Sequence, residues 1–77
     1  MGNDFAVYEI KVPDDWIGHS LVQLDLRRNY HLNVVAIKSP QSMIVDIDPD
    51  MLLASGQTLL VMSDEKSIQR FVAAKDK

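Results

Sequence analysis

The chain predicts a small α+β domain, ordered strand, helix, three strands, helix, with a mainly antiparallel sheet and helices packed on it. Three observations predict this. "FAVYEIKV" alternates apolar and polar residues at the strand period. "NVVAIKS" and "QTLLVMS" are short apolar runs of buried-strand length bounded by turn residues. "DEKSIQRFVAAK" spaces Ile68, Phe71 and Val72 along one side of a helix. The 77 residues and a 47% hydrophobic share suit one domain, 1–77, with a modest core. A chain this short buries only about 60% of its unfolded surface, so a homodimer is the expected state.

In the first strand, Phe5 to Val12, the even residues Ala6, Tyr8, Ile10 and Val12 form the inward face, and the odd face turns polar at Glu9 and Lys11. Pro13 and Gly18 end it. Ser20, with Gln23 three residues on, reads as a capping box that opens a single short helix, with Leu21 and Leu24 on one side and its end near "RRNY". "NVVAIKS", the turn "PQS" and "MIVDI" read as two antiparallel strands joined by a hairpin. Asp46 to Gly56 is a proline-bearing connection, followed by the strand "QTLLVMS". The last helix carries acids in its first turn and Lys75 near its end, as the helix dipole favours.

Composition narrows the function. A net charge of −3 opposes a nucleic-acid polymer as partner, because phosphate backbones require a concentrated positive face. No apolar run reaches the roughly 20 residues of a membrane helix, so direct membrane insertion is not expected. The chain has no cysteine, which removes disulfides and thiol chemistry and fits a reducing compartment. Two isolated histidines and three scattered glycines offer neither a nucleophile–base pair nor a phosphate-cradling loop, so an enzyme is not expected. "DIDPDM" places Asp46, Asp48 and Asp50 as a calcium loop would. Its required Gly and Glu are replaced by Met51 and Gln57, and the stretch reads as a turn built on Asp48-Pro49, with the Asp50 side chain bonding the following backbone, rather than a metal site.

"LDLRRNYHLNVVAIK" gathers Arg27, Arg28, Tyr30, His31 and Asn33 between a helix end and a buried strand. Arg27 suits a phosphate and Asn33 a base or ribose, although paired arginines at a helix end also serve simply to complement its dipole.

The ordered series "VPDDWIGHSLVQLDLRRNYHLNVVAIK" and "DPDMLLASGQTLLVM" resembles the C-terminal domain of regulators of potassium conductance, the RCK_C or TrkA_C family, over about Tyr8 to Phe71. The "LDLR" and "NVVAIK" portions look most like KtrA-type gating subunits of potassium transporters. Gln57 and Ser63 stand where the family often has Asp and Gly. The resemblance implies a regulatory domain without catalysis or cofactor, dimeric, with cyclic di-AMP as regulatory ligand at the dimer interface. It implies Leu21, Leu26 and Pro49 as apolar walls for the adenines, Arg27 as phosphate ligand and Asn33 as a polar contact. Val34 takes the place where some relatives carry His.

Family members carry an N-terminal Rossmann domain. With no G-x-G-x-x-G here, and a Met1-Gly2 opening, the chain reads as the C-terminal module cut from a longer protein. The implied partners are a ring of Rossmann domains and a membrane potassium-translocating subunit, which implies a cytoplasmic position at the inner face of the cell membrane. The alternative is a ligand-independent assembly module of a potassium or other cation transporter or channel.

Overall fold

In the computed structural model, which describes residues 4–76, the alternating first run forms strand β1, Phe5–Lys11. A one-turn 3-10 helix at Asp14–Trp16 follows, then helices α1, Leu21–Leu24, and α2, Leu26–Tyr30. Strands β2, Asn33–Ser39, and β3, Ser42–Ile44, form a hairpin. Strand β4, Thr58–Asp64, leads directly into helix α3, Glu65–Lys75. The four strands make one antiparallel sheet in the order β1-β4-β2-β3.

Tyr8, Ile10, Val34, Ile37, Ile44, Leu59 and Val61 pack into one core with Trp16, Leu26, Leu32, Leu53 and Phe71. Strand register puts Phe5, Val7, Glu9 and Lys11 with Met62 on the opposite face, where Glu9 and Lys38 meet at 3.6 Å. Phe5, Val7 and Met62 are exposed on that outer face.

The predicted fold class holds, with four local corrections. The expected single helix is two, because Asp25 adopts left-handed geometry (φ 49°, ψ 54°) between α1 and α2. Leu24 is thereby half-buried while Leu26 turns fully into the core. The capping box at α1 is present: Ser20 Oγ accepts from the Gln23 amide at 3.1 Å, and Gln23 Oε1 accepts from the Ser20 amide at 2.9 Å.

The second correction concerns β3, which stops at Ile44 instead of running through "MIVDI". The two-residue loop is Pro40-Gln41. Two-residue hairpins that follow strand twist need positive φ, which proline cannot adopt. Among the described residues the only non-glycine positive φ values are at Asp25 and His31. The hairpin arms therefore diverge after three paired positions, Ile37–Ile44, Lys38–Met43 and Ser39–Ser42.

Third, Val72 is exposed, so the inward face of α3 is carried by Ser67, Ile68 and Phe71. Asp64 is the cap of α3, and not its first residue. Its carboxylate accepts from the Ser67 amide at 2.8 Å and from Ser67 Oγ at 3.1 Å. Fourth, in the connection it is Asp48, not Asp50, whose side chain bonds the following backbone, accepting from the Asp50 amide at 2.9 Å.

Trp16, Tyr30 and Phe71 close the core at one end. Their ring centroids lie 6.2, 5.5 and 5.3 Å apart, joining the 3-10 turn, α2 and α3. Lys75 lies 5.3 Å above the Trp16 ring and donates to Asp15 at 2.7 Å, which ties the last turn of α3 to the same point.

Candidate functional site

The junction between α2 and β2 is built by a tight turn at His31. Helix α2 has no glycine to end on, and His31 takes the left-handed position itself (φ 59°). The His31 amide donates to the Arg27 carbonyl at 3.0 Å and the Leu32 amide to the Leu26 carbonyl at 3.2 Å. From β4, the buried Ser63 hydroxyl donates to the His31 carbonyl at 2.8 Å. Ser63 lies inside β4, where it fastens this turn to the sheet. Gln57 is equally occupied, accepting from the Ala54 amide at 2.9 Å just before Gly56 takes φ 85°.

This turn brings Arg27 back to the start of β2, where Nη2 donates to Asn33 Oδ1 at 3.3 Å. The two arginines are not equivalent. Arg28 is held by Asp25 at 3.4 Å, whereas among the described residues no carboxylate pairs with Arg27. Arg27 therefore keeps most of its donor fork free for an anion. Arg27 and Asn33 share an open concavity of about 440 Å³ with Phe5, His31, Met62 and Asp64. Asp64 is the one acid there. The Ser67 amide and then the Ser67 hydroxyl hold its carboxyl below its ordinary pKa, with smaller help from His31 and Arg70. Its charge is thus directed toward the N-terminus of α3.

The other expected site residues are distributed around a second locus. Pro49 is exposed, and its carbonyl accepts from the Val22 amide at 3.1 Å, placing the connection against α1. Leu21 is half-buried beside it. Leu26, expected as an adenine wall, and Val34, which stands where some relatives carry His, lie deeper. Leu26 is fully buried and Val34 is half-buried against the core, so in a single protomer they support the surface from beneath. Their chain neighbourhood supplies the exposed apolar groups instead, Val22 and Val35. A bulge between Val34 and Ala36 adds one residue to β2, which shifts the strand's alternation at this point.

Phe5 and Met62 were not expected in the site, whereas His31 belongs to the junction gathered from the sequence. The signal for Phe5 lay in the first strand, whose otherwise polar odd face opens with Phe5 and Val7.

The TrkA-C domain family model matches residues 6–75. The KtrA RCK C domain, solved in complex with cyclic diadenosine monophosphate, is similar with a TM-score of 0.84 and 27% identity, covering 92% of this chain and 84% of that one. The RCK_C domain dimer of S. agalactiae BusR in complex with c-di-AMP matches in fold with a TM-score of 0.76, 23% identity and coverage of 92% and 96%. The GsuK RCK domain matches in fold at 0.83 and 22% identity, and covers 94% of this chain and 16% of the GsuK chain. No curated protein matches the chain. Among the described residues no helix is long and apolar enough to cross a membrane.

Proposed function

The chain belongs to the TrkA-C domain family, and on that premise we propose that it is the regulatory ligand-binding domain of a potassium uptake system, sensing cyclic di-AMP at a homodimer interface. The observation that carries this reading is the Arg27–Asn33 pair: an arginine with no carboxylate partner among the described residues, oriented by an amide at the head of β2. The similarity to a KtrA domain holding this ligand supports it.

Cyclic di-AMP has two phosphates and two adenines related by a two-fold. On a two-fold axis between protomers, one Arg27 from each chain meets one phosphate. The guanidinium is weakly hydrated and forks onto phosphate oxygens, and its bond strengthens where apolar groups exclude water. Leu21 and the exposed ring of Pro49 serve as the apolar walls, backed by Leu26 and Val34. Asn33 steers the guanidinium and retains its amide N–H groups for a ligand acceptor. Val34 supplies packing only, so no polar contact comes from that place.

Ligand bound across the axis favours one orientation of the two domains, and it shifts the equilibrium only by its difference in affinity for the two states. An attached ring of Rossmann domains and a membrane potassium-translocating subunit would read that orientation, with this module on the cytoplasmic side. No catalysis or cofactor is part of the reading.

Calorimetric titration of the purified chain with cyclic di-AMP tests it, run beside Arg27→Ala and with ATP as control. Saturable binding at one ligand per two chains is expected, weakened at least about tenfold in the variant and absent for ATP. No heat at millimolar ligand from a dimeric protein would overturn the sensor reading in favour of a ligand-independent assembly module.

A further inference from the structure

The turn between α2 and β2 carries a side chain that its backbone does not need. His31 sits in left-handed geometry (φ 59°, ψ 35°), where glycine is free of strain and most other residues are not. Asp25 is the other non-glycine residue with positive φ among the described residues, and the path of Leu26 into the core explains it. The His31 backbone is fully engaged, its amide donating to the Arg27 carbonyl at 3.0 Å and its carbonyl accepting from the Ser63 hydroxyl at 2.8 Å. Its ring is exposed and, among the described residues, makes no hydrogen bond. A strained backbone held by its surroundings, with its side chain left free, points to a use for that side chain.

Position gives the ring its task. His31 lines the concavity of about 440 Å³ that holds Arg27 and Asn33, and also borders a second one of about 510 Å³ at the start of α3. Charged groups face it from every neighbouring element: Arg27 on α2, Asp4 before β1, Asp64 at the end of β4, and Glu65, Lys66 and Arg70 on α3. Their formal charges cancel. The Asp64 carboxylate is occupied by the Ser67 amide and hydroxyl, at 2.8 and 3.1 Å, and leaves the imidazole unclaimed. An anion entering beside Arg27 adds negative charge to this balanced set and favours the imidazolium.

We infer that His31 is a second phosphate ligand beside Arg27, donating from its protonated ring, so that cyclic di-AMP binds more tightly as pH falls through the histidine range. The inference rests on the cyclic di-AMP reading above and deepens it. Imidazole is the side chain that ordinarily changes charge between about pH 5 and pH 8. When protonated it donates from both nitrogens and carries the charge that shortens and strengthens a bond to a phosphate oxygen. The coupling is reciprocal: the proton tightens the ligand, and the ligand tightens the proton. In a two-fold complex each protomer supplies one His31, so the effect is counted twice. A domain built this way registers the messenger more strongly in an acidified compartment.

Titration of the purified chain with cyclic di-AMP at about pH 5.5, 7 and 8.5 tests this. It is run beside His31→Asn and His31→Gly, both of which accept left-handed geometry and keep the turn. The unaltered chain is expected to bind about tenfold tighter at the lowest pH than at the highest, about threefold for each ring, and both variants to lose that slope. In proton NMR of the saturated complex, the His31 ring should titrate about half a pH unit higher than in the free chain. His19, exposed beside Asp15 and Trp16, is the internal control and should not move. Affinity that is flat across pH, an equal slope in His31→Asn, or a His31 titration unmoved by ligand would overturn the inference and leave the sensor reading standing. No binding at any pH would overturn both.

Discussion

The two ends of α2 show opposite uses of similar residue types. On the side facing α3, Tyr30 stacks with Trp16 and Phe71, and Lys75 is engaged both by the Trp16 ring and by Asp15. On the side facing β2, Arg27 has, among the described residues, one weak neutral partner, the β2 edge has no strand partner over four residues, and Val35 is exposed. The first region spends its aromatic and cationic groups within the protomer. The second leaves its arginine, backbone and aliphatic groups unmet, which is how an interface looks before its partner arrives. Stability and recognition are thus divided between neighbouring surfaces of one short segment.

The largest expected effect breaks the first region. Phe71→Ala removes the ring that touches both Trp16 and Tyr30 and should cost about 3–5 kcal/mol, a large share of the stability of so small a domain. Arg27→Ala, in the second region, should stay within about 0.5 kcal/mol while binding weakens at least about tenfold. Denaturant melts of both variants check the contrast, which fails if their midpoints fall equally.

An intermediate effect converts the second region toward the first. Replacing Pro40-Gln41 by Asn-Gly allows positive φ at both loop positions and a hairpin twist that keeps its arms together. We expect β3 to lengthen along Val45 to Ile47 and cover the β2 edge. The protomer then melts at a higher temperature. Thermal melts measure this, and an unchanged midpoint would show that the turn is not what ends β3 early.

The smallest effect concerns acid. Asp15 is held below its ordinary pKa chiefly by its hydrogen bond to Lys75, and Asp64 by the Ser67 amide and hydroxyl. At a pH where the unfolded carboxyls begin to bind protons, the folded ones do not, so stability falls with acidity. Their contribution is fully present above the ordinary carboxylate pKa and is lost as pH drops through the lowered folded values. Asp15→Asn should lower the melting temperature slightly at about pH 7 and hardly at all at about pH 2, because the pair it removes is already protonated there. A shift of equal size at both pH values would show that the carboxylate charge is not what ties down Lys75.

Much of this was legible in the residues because the relevant forces are local. Alternation in "FAVYEIKV", the Ser20–Gln23 box and the acid-to-base gradient of the last helix each act within a turn or a strand, and each appears where its pattern required, except that Ala6 at the start of the first strand is exposed rather than inward. The Arg27–Asn33 pair was also within reach, since six residues and one turn separate them.

What only the tertiary structure decided is where those elements end and which way they face. Asp25 breaks a continuous helical pattern because Leu26 must reach the core, and no local preference announces that demand. Leu26 has the apolar character expected of a ligand wall, yet packing draws it inward and leaves Val22 and Val35 outside. Periodicity states that residues share a face, but the contacts of the whole chain determine which face is buried. The open edge of β2 is the clearest case. It arises from a proline turn, a strand that ends early and a connection drawn away to α1, three features thirty residues apart whose sum is a surface.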